Sequence, residues 1–326
     1  MKTISKNYVR TIIDNCKGKQ VAIIGDLMID HYYWGSVSRI SPEAPVPVID
    51  VDYESSHFGG AANVVLNLHS LGINPLMCGV VGNDENGRKF KELSEEIGIS
   101  IDGLYFDDSR PTTVKTRVIG NNQQIARIDK EICSPINVAI EDYFIELIES
   151  ATALDAIIFA DYNKGVITDR LILKITDFAK KNNLLVFVDP KFYNFFLYKG
   201  VTLFKPNRKE ASLSLGFDVK TDNDINKAGK ILLDRLQCEN VLLTLGSKGM
   251  KLFRKDGSSS HIPTIARHVA DVSGAGDTAI STIAAAMTGG ASIEEAALLA
   301  NYASGVVCEK PGIVSITIDE LISSFE

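Results

Sequence analysis

Short apolar runs alternate with amphipathic stretches along most of the chain. Runs of four to six mainly apolar residues predict buried strands, and the amphipathic stretches between some of them predict helices. The predicted strands are 21–24, 76–81, 156–160, 184–189, 201–204 and 241–244, and the clearest predicted helices between them are 138–150 and 168–182. Strands that alternate with helices indicate an α/β fold: a doubly wound, mostly parallel sheet with helices on both faces.

Two stretches have a different pattern, in which apolar and polar residues alternate with the period of a half-buried strand. The first, 41–51, contains Pro42, Pro45 and Pro47. The second runs over 112–129 and turns at 120–122, which reads Gly-Asn-Asn. Proline belongs at the edges of sheets, so we expect two exposed ribbons outside the main sheet.

The last third of the chain predicts an antiparallel strand pair at 250–253 and 259–263, followed by helices at 277–288, 292–309 and 318–325. No internal repeat, low-complexity tract or linker interrupts the chain. We therefore predict a single domain over 1–326, since its length can bury one large core.

Composition excludes several classes of partner. The chain has 326 residues, a net charge of −7 and no basic cluster, so we expect no nucleic acid or anionic membrane as a partner. Its five cysteines are widely spaced without a Cys-x-x-Cys pair, which is typical of reduced thiols. No apolar run approaches the length of a membrane span, so we predict a cytoplasmic protein.

Residues 271–277, which read Asp-Val-Ser-Gly-Ala-Gly-Asp, contain the strongest candidate for chemistry. The turn Gly274-Ala275-Gly276 immediately precedes a predicted helix, whose free N–H groups favour an anion. Asp277, beside that turn, has the chemistry of a general base that takes a proton from an attacking hydroxyl. The alternative from these residues alone is a helix cap after a glycine loop.

A second candidate region follows the first predicted strand. Asp30 lies beyond that strand's carboxyl end, where open α/β sheets bind ligands. Gly59 and Gly60 precede a predicted helix that carries Asn63 in its first turn. A carboxylate and an amide there suit sugar hydroxyls, and the alternatives are a solvated turn for Asp30 and a close packing contact for the glycines.

Four motifs occur in an order that resembles the ribokinase family of carbohydrate kinases, and the resemblance covers nearly the whole chain. They are 59–63 (Gly-Gly-Ala-Ala-Asn), 205–210 (Lys-Pro-Asn-Arg-Lys-Glu), 244–249 (Thr-Leu-Gly-Ser-Lys-Gly) and 271–277. The resemblance implies a ribokinase-like fold with a small β-sheet lid, formed by about 34–56 and 112–129. Lids of this family often pair between subunits, which implies a homodimer.

The resemblance also implies ATP and Mg²⁺ as cofactors, with K⁺ as a further candidate, and assigns roles to individual residues. Asp277 matches the general base, and Gly274, Ala275 and Gly276 match its anion hole. The other matches are Asp30, Gly59, Gly60 and Asn63 on the sugar side; Asn207, Glu210, Thr244, Gly246, Gly249 and Asn301 on the nucleotide side; Glu210 near Mg²⁺ through water; and Asp271 and Ser273 near a monovalent cation. Many members of the family have two threonines where this chain has Val272-Ser273, so one hydroxyl is lost here. Asn83 stands where an aspartate is common in the family.

A narrower resemblance, to the heptose-7-phosphate kinases, rests on residues 25–35, 38–48, 123–129, 161–165 and 189–191. It implies phosphorylation of D-glycero-D-manno-heptose 7-phosphate at the anomeric hydroxyl, on the route to ADP-heptose and lipopolysaccharide. Arg39, Arg127, Lys164 and Lys191 are then candidate ligands of the sugar phosphate, and each has a solvated surface charge as its alternative. Without a His-x-Gly-His motif, we expect no fused nucleotidyltransferase activity.

Two alternatives stay open on the sequence alone. Another sugar, sugar-phosphate or nucleoside kinase would share the same phosphate chemistry. A catalytically silent sugar-phosphate sensor would share the fold, although the intact Asp277 and its glycine turn favour an enzyme.

Overall fold

The computed structural model describes residues 4–265 and 268–325, and its centre is a nine-stranded sheet. Its strands are β1 Gln20–Gly25, β4 Asn74–Gly82, β5 Leu104–Asp107, β8 Leu154–Ala160, β9 Leu185–Asp189, β10 Leu203–Phe204, β11 Asn240–Thr244, β12 Met250–Arg254 and β13 Ser259–Ile262. They lie in the order β13-β12-β11-β10-β9-β8-β1-β4-β5. The strands from β11 to β5 in that order run parallel to one another, and β12 pairs antiparallel with both of its neighbours, β11 and β13. The predicted α/β class and the late antiparallel pair are confirmed.

Helices cover both faces of this sheet, as the alternating pattern predicted. In β1, Val21 and Ile23 point into one hydrophobic cluster, while Ala22 and Ile24 point into the other. Burial on both faces explains why the strand is apolar throughout. The helices are α1 Lys6–Cys16, α2 Ala61–Ser70, α3 Glu85–Glu96, α4 Val138–Ser150, α5 Asp169–Lys181, α6 Arg208–Leu215, α7 Asp222–Leu236, α8 Ala275–Thr288, α9 Ile293–Cys308 and α10 Ile318–Ser323.

Helix α8 is buried along nearly its whole length. Its side chains from Asp277 to Ala286 are all buried, and alanine or another small residue occupies many of these positions. Small side chains allow α8 to pack closely against α2 and α9 on the sheet. The helix therefore presents its N-terminus at a fixed place above the carboxyl ends of the strands.

A separate four-stranded sheet has the order β3-β2-β6-β7 and comprises β2 Leu27–Ile40, β3 Pro47–Gly60, β6 Thr113–Gly120 and β7 Gln123–Lys130. We call it the small sheet. Its two ribbons were predicted, but β2 and β3 extend over 27–60 where 34–56 was expected, and β6 and β7 cover 113–130, one residue later than the expected 112–129. Strand β2 starts directly after β1 because no glycine or proline interrupts residues 27–34. Pro42 and Pro45 lie in the connection to β3, where they remove no ladder hydrogen bond.

Several elements were not predicted from the sequence. Helix α1 places Val9, Ile12 and Ile13 on its buried side, and β5 is only four residues long at the edge of the sheet. Strand β10 is shorter than predicted, because regular pairing includes only Leu203 and Phe204.

The predicted single-domain range of 1–326 includes residues 1–3, 266–267 and 326, which lie outside the described residues. Within the described part, no helix combines the length and the apolarity needed to cross a bilayer.

Candidate active site

The carboxyl ends of the central strands bring together polar side chains that lie far apart in sequence. Tyr162 follows β8, Asp189 ends β9 and Lys205 follows β10. All three interact with the first turn of α8, which carries Asp277. A crevice at these strand ends is where open α/β sheets place their ligands.

Asp277 is a buried carboxylate held by two neutral donors. Asp277 is only 9% exposed. The amide of Asn63 donates to Oδ2 over 2.7 Å, and the hydroxyl of Tyr162 donates to Oδ1. Burial and the negative charge of Asp189 raise the pKa of Asp277 to about 6, against the two hydrogen bonds and the positive charge of Lys205. A carboxylate with that pKa is ionised at neutral pH and can accept a proton.

A buried amide chain fixes the orientation of Asn63. Asn67 donates from Nδ2 to the backbone oxygen of Asn63 over 2.8 Å and to its Oδ1 over 3.3 Å. Oδ1 of Asn67 in turn accepts from the hydroxyl of Thr278 over 3.0 Å. Because Oδ1 of Asn63 faces a donor, its amino group faces Asp277.

The predicted glycine turn lies next to these groups. Gly274 has a φ of +78°, a left-handed conformation, and a Cβ there would stand 2.9 Å from Nδ2 of Asn63. A Cβ on Gly276 would stand 3.5 Å from Nζ of Lys205, which pairs with Asp189 at 3.1 Å. The N–H of Ala275 donates to the carbonyl of Val272 over 3.3 Å. The turn therefore combines the N-terminus of α8 with a buried ammonium group, which suits an anion.

A second ion pair lies on the other side of Tyr162. Lys191 contacts Glu210 at 2.5 Å, and its ammonium lies 5.2 Å from the centre of the Tyr162 ring. Burial tends to lower the pKa of Lys191, but Asp189 and Glu210 outweigh it and raise this pKa. Glu210 also accepts from the N–H of Asn207, and the two residues form a capping box at the start of α6. Lys191 is thus a charged group at the site's edge.

The carboxylates of this region suit a magnesium ion that takes most of its ligands from groups other than protein side chains. Among the described residues, no three His, Cys, Asp or Glu side chains form a cluster able to hold a metal ion. Glu210 and Asp189 offer carboxylate oxygens, which Mg²⁺ prefers, but each already accepts from a lysine. Contact with a metal through water is compatible with both pairs.

The residues matched to a nucleotide lie around the carboxyl end of β11. Thr244 ends β11 and forms a β-bridge with Asn207, so these two residues are neighbours. Gly246 begins a short 3₁₀ turn, and Gly249 follows that turn. Gly249 packs so closely against the backbone at 262–264 that a Cβ would collide with it. Asn301 donates from Nδ2 to the carbonyl of Pro263 over 2.9 Å. Gly249 and Asn301 thus hold the loop after β13 in this structure.

The sugar-side residues occupy the base of the small sheet. Asp30 lies in β2, rather than in a solvated turn, and is buried. Its Oδ1 accepts from Arg117 of β6, and Gly59 packs against its other oxygen so closely that a Cβ would collide with it. Arg117 also lies over the ring of Tyr32 at 5.3 Å. Asp30 is therefore an acidic group that Arg117 and Gly59 hold in place.

Two of the four predicted phosphate ligands belong to one charge network. Lys164 pairs with Glu131 at 2.6 Å, and Lys115 pairs with Glu131 at 3.1 Å and with Asp129 at 3.2 Å. Arg127 pairs with Asp129 at 2.9 Å. Three cations thus share two carboxylates, and the negative charge of Asp26 also acts on Lys164.

The structure does not bring Arg39 to that network. Arg39 lies in β2 nine residues beyond Asp30, about 30 Å along the strand, and its exposed side chain is 3.9 Å from Asp50.

Asp271 and Ser273, matched to a monovalent cation, lie in the loop before α8. There the N–H of Ser273 donates to Oδ1 of Asp271 over 2.9 Å.

The site contains residues that the sequence analysis did not assign to it. They are Asn67, Arg117, Tyr162, Asp189 and Lys205. Three of them, Tyr162, Asp189 and Lys205, end a predicted strand or follow one within two residues, so the rule that ligands bind at the carboxyl ends could have identified them. Asn67 and Arg117 lie inside regular elements, where no such signal exists.

The fold is a doubly wound sheet with a small sheet beside it, and the candidate site is a buried carboxylate at a helix N-terminus. Residues 19–319 match the model of the pfkB family carbohydrate kinases. The chain belongs to that family and is thus a phosphotransferase that acts on an alcohol group. Membership of a kinase family implies the use of ATP.

Similar proteins agree with this assignment. The chain is 44% identical to the bifunctional protein HldE of Helicobacter hepaticus, over 94% of this chain and 64% of that protein. It is 39% identical to the protein of the same name from Pelobacter propionicus, over 98% of this chain and 66% of that one. The chain thus spans slightly less than two thirds of the curated relatives it matches.

Solved structures show the same fold at low sequence identity. Arabidopsis thaliana ribokinase, in complex with ribose and ATP, has a TM-score of 0.75 and 20% identity, with 94% of this chain and 98% of that one covered. Escherichia coli phosphofructokinase-2, in complex with potassium, has a TM-score of 0.76 and 15% identity, with 94% and 97% covered. The ribokinase-like fold is therefore confirmed.

Proposed function

We propose that this protein transfers the γ-phosphoryl group of ATP to the anomeric hydroxyl of D-glycero-D-manno-heptose 7-phosphate. The product would be heptose 1,7-bisphosphate, a precursor of ADP-heptose and lipopolysaccharide. The observation that carries the proposal is the buried Asp277 beside the Gly274–Gly276 turn. A general base and an anion hole in contact are what phosphoryl transfer to a hydroxyl requires.

In this proposal Asp277 takes the proton of the sugar hydroxyl. The N–H groups of the first turn of α8 and the ammonium of Lys205 stabilise the charge on the transferring group. Glu210 would hold Mg²⁺ through water, and the ion would supply positive charge to the phosphates. Asp271 and Ser273, in the loop before α8, offer oxygen atoms to a monovalent cation such as K⁺.

The preference for a phosphorylated sugar is supported by the three cations that pair with Glu131 and Asp129. Two anions, the sugar phosphate and ATP, have to enter a protein of net charge −7, so local cations are needed. Lys164 follows Tyr162, whose hydroxyl donates to Asp277, by two residues. The names of the HldE relatives agree with a heptose substrate, and Asp30 with Asn63 would contact its hydroxyls.

We also propose a homodimer formed through the small sheet. Its outer strands, β3 and β7, carry exposed apolar side chains that include Val51, Tyr53 and Ile128. Open strand edges with apolar side chains need a partner, and a second copy of the sheet would provide one.

Lys164→Met tests the substrate assignment, and Lys180→Met, at an exposed position on α5, is its control. We expect Lys164→Met to raise KM for heptose 7-phosphate at least about tenfold and to leave KM for ATP unchanged. Lys180→Met should change neither constant.

Two outcomes would contradict the proposal at different levels. Equal use of unphosphorylated heptose, together with an unchanged KM in Lys164→Met, would overturn the heptose 7-phosphate assignment alone. Absence of ATP turnover with every sugar and sugar phosphate in a panel would overturn the kinase function and favour a sensor.

A further inference from the structure

The phenol of Tyr162 lies between two charged groups of the site. Its hydroxyl donates to Oδ1 of Asp277, and the ammonium of Lys191 lies over its ring. Asn63 donates to the other carboxylate oxygen of Asp277. Rotation of the carboxylate about its Cβ–Cγ bond would break both hydrogen bonds, so the two donors fix its plane.

Tyr162 itself is held by a buried acid. The carboxylate of Asp26 accepts from the backbone N–H of Tyr162 over 2.8 Å, of Lys164 over 3.1 Å and of Val166 over 3.0 Å. Asp26 is 1% exposed, so these bonds are shielded from water. The loop after β8 therefore presents the phenol from a rigid support.

We propose that Tyr162 is a positioning residue for the phosphoryl transfer: it holds the carboxylate of Asp277 in one orientation and in its ionised form. This inference rests on the proposed function, because it takes Asp277 as the base. Tyr162 touches the base, and its role is exerted through that base. Phenylalanine would keep the ring under Lys191 but leave Oδ1 without this donor.

The pH dependence follows from all the groups that surround Asp277. Asn63 and Tyr162 donate to it, Lys205 and Lys191 favour its charged form, and Asp189 opposes it. Glu210 adds negative charge on the far side of Tyr162. Loss of the phenol hydroxyl removes one stabiliser of the anion, so the proton is bound more tightly and the acid limb of the rate profile moves to higher pH.

The test compares Tyr162→Phe with Tyr198→Phe. The hydroxyl of Tyr198 donates to Oδ2 of Asp161 over 2.8 Å, so the control removes another buried tyrosine–aspartate bond. For Tyr162→Phe we expect the midpoint of the acid limb of kcat/KM to move to higher pH by about one unit. A hydrogen bond to a charged group is strong enough to shift a pKa by about that amount. We also expect kcat to fall at least about tenfold at pH 7, with KM for ATP unchanged. Tyr198→Phe should leave the acid limb unmoved.

Incorporation of 3-fluorotyrosine at position 162 keeps the test decisive if Tyr162→Phe folds poorly. Its more acidic hydroxyl is a stronger donor, so the acid limb should move to lower pH. An unmoved limb in both Tyr162 variants, or an equal movement in Tyr198→Phe, would overturn the inference. Asp277→Asn separates the two claims: activity in that variant would overturn the proposed base, whereas an inactive Asp277→Asn with unmoved Tyr162 limbs would overturn only the role of Tyr162.

Discussion

Asn63 donates from Nδ2 to Oδ2 of Asp277 over 2.7 Å, although the two residues are 214 positions apart. Asn63 comes from the first turn of α2, and Asp277 comes from the first turn of α8. Two helix N-termini therefore meet at one carboxylate. Asn63, which the family resemblance assigns to the sugar, is in this structure a hydrogen-bond partner of Asp277, the proposed base.

The raised pKa of Asp277 predicts the pH dependence of activity. The base has to be ionised, and its pKa is about 6, so kcat/KM should fall as the pH drops below about 6. The expected decline is tenfold per pH unit, as for a single proton. A rate profile that stays flat down to pH 4.5, measured on protein shown to be folded at each pH, would contradict this prediction.

Gly274→Ala and Gly98→Ala form a matched pair. Both glycines have left-handed φ values, +78° and +72°, so alanine strains either backbone by about 1–2 kcal/mol. Only at Gly274 would the new Cβ meet another group, Nδ2 of Asn63 at 2.9 Å; at Gly98 no atom lies within 4 Å of it. We expect similar losses of thermal stability but a fall in kcat of at least about tenfold for Gly274→Ala alone. Equal activity of the two variants would show that the turn tolerates a Cβ.

Glu210→Gln tests the link to magnesium. Turnover should be lost on exhaustive chelation, and Glu210→Gln should raise the Mg²⁺ concentration for half-maximal rate several-fold, because a charged contact to the ion's water shell is removed. Glu320→Gln is the control, since Glu320 also closes a capping box and pairs with a lysine, Lys310, in another part of the chain. The same Mg²⁺ dependence in both variants would exclude Glu210 from this role.

Ile128→Lys tests the dimer, with Leu173→Lys as its control. Both side chains are 61% exposed, but Ile128 lies on β7 of the small sheet and Leu173 lies on α5. A charge inside an apolar interface is costly, so we expect Ile128→Lys to be a monomer by light scattering and Leu173→Lys to remain a dimer. A monomeric wild-type protein at assay concentrations would refute the proposal directly.

The sequence predicted the features that depend on local pattern. The apolar run of β1 identified a strand buried on both faces, and the glycine turn with Asp277 identified the N-terminus of α8. Both follow from rules that act over a few residues.

Contacts between distant segments could not be predicted in the same way. Tyr162 reaches Asp277, and Arg117 reaches Asp30, only because separate strands end at the same crevice or pair in the same sheet. The limits of the first ribbon differ from the prediction for a related reason. Pairing of β2 with β3 begins at Leu27 and Gly60, so these two strands extend beyond the predicted 34–56.

The most direct test of the account is the transfer of labelled γ-phosphate from ATP to heptose 7-phosphate by wild-type protein and by Asp277→Asn. We predict labelled heptose 1,7-bisphosphate from the wild type and a rate about 10²–10⁴-fold lower from the variant, with the affinity for ATP unchanged. A variant that transfers phosphate within a few-fold of the wild-type rate would contradict the assignment of Asp277 as the base.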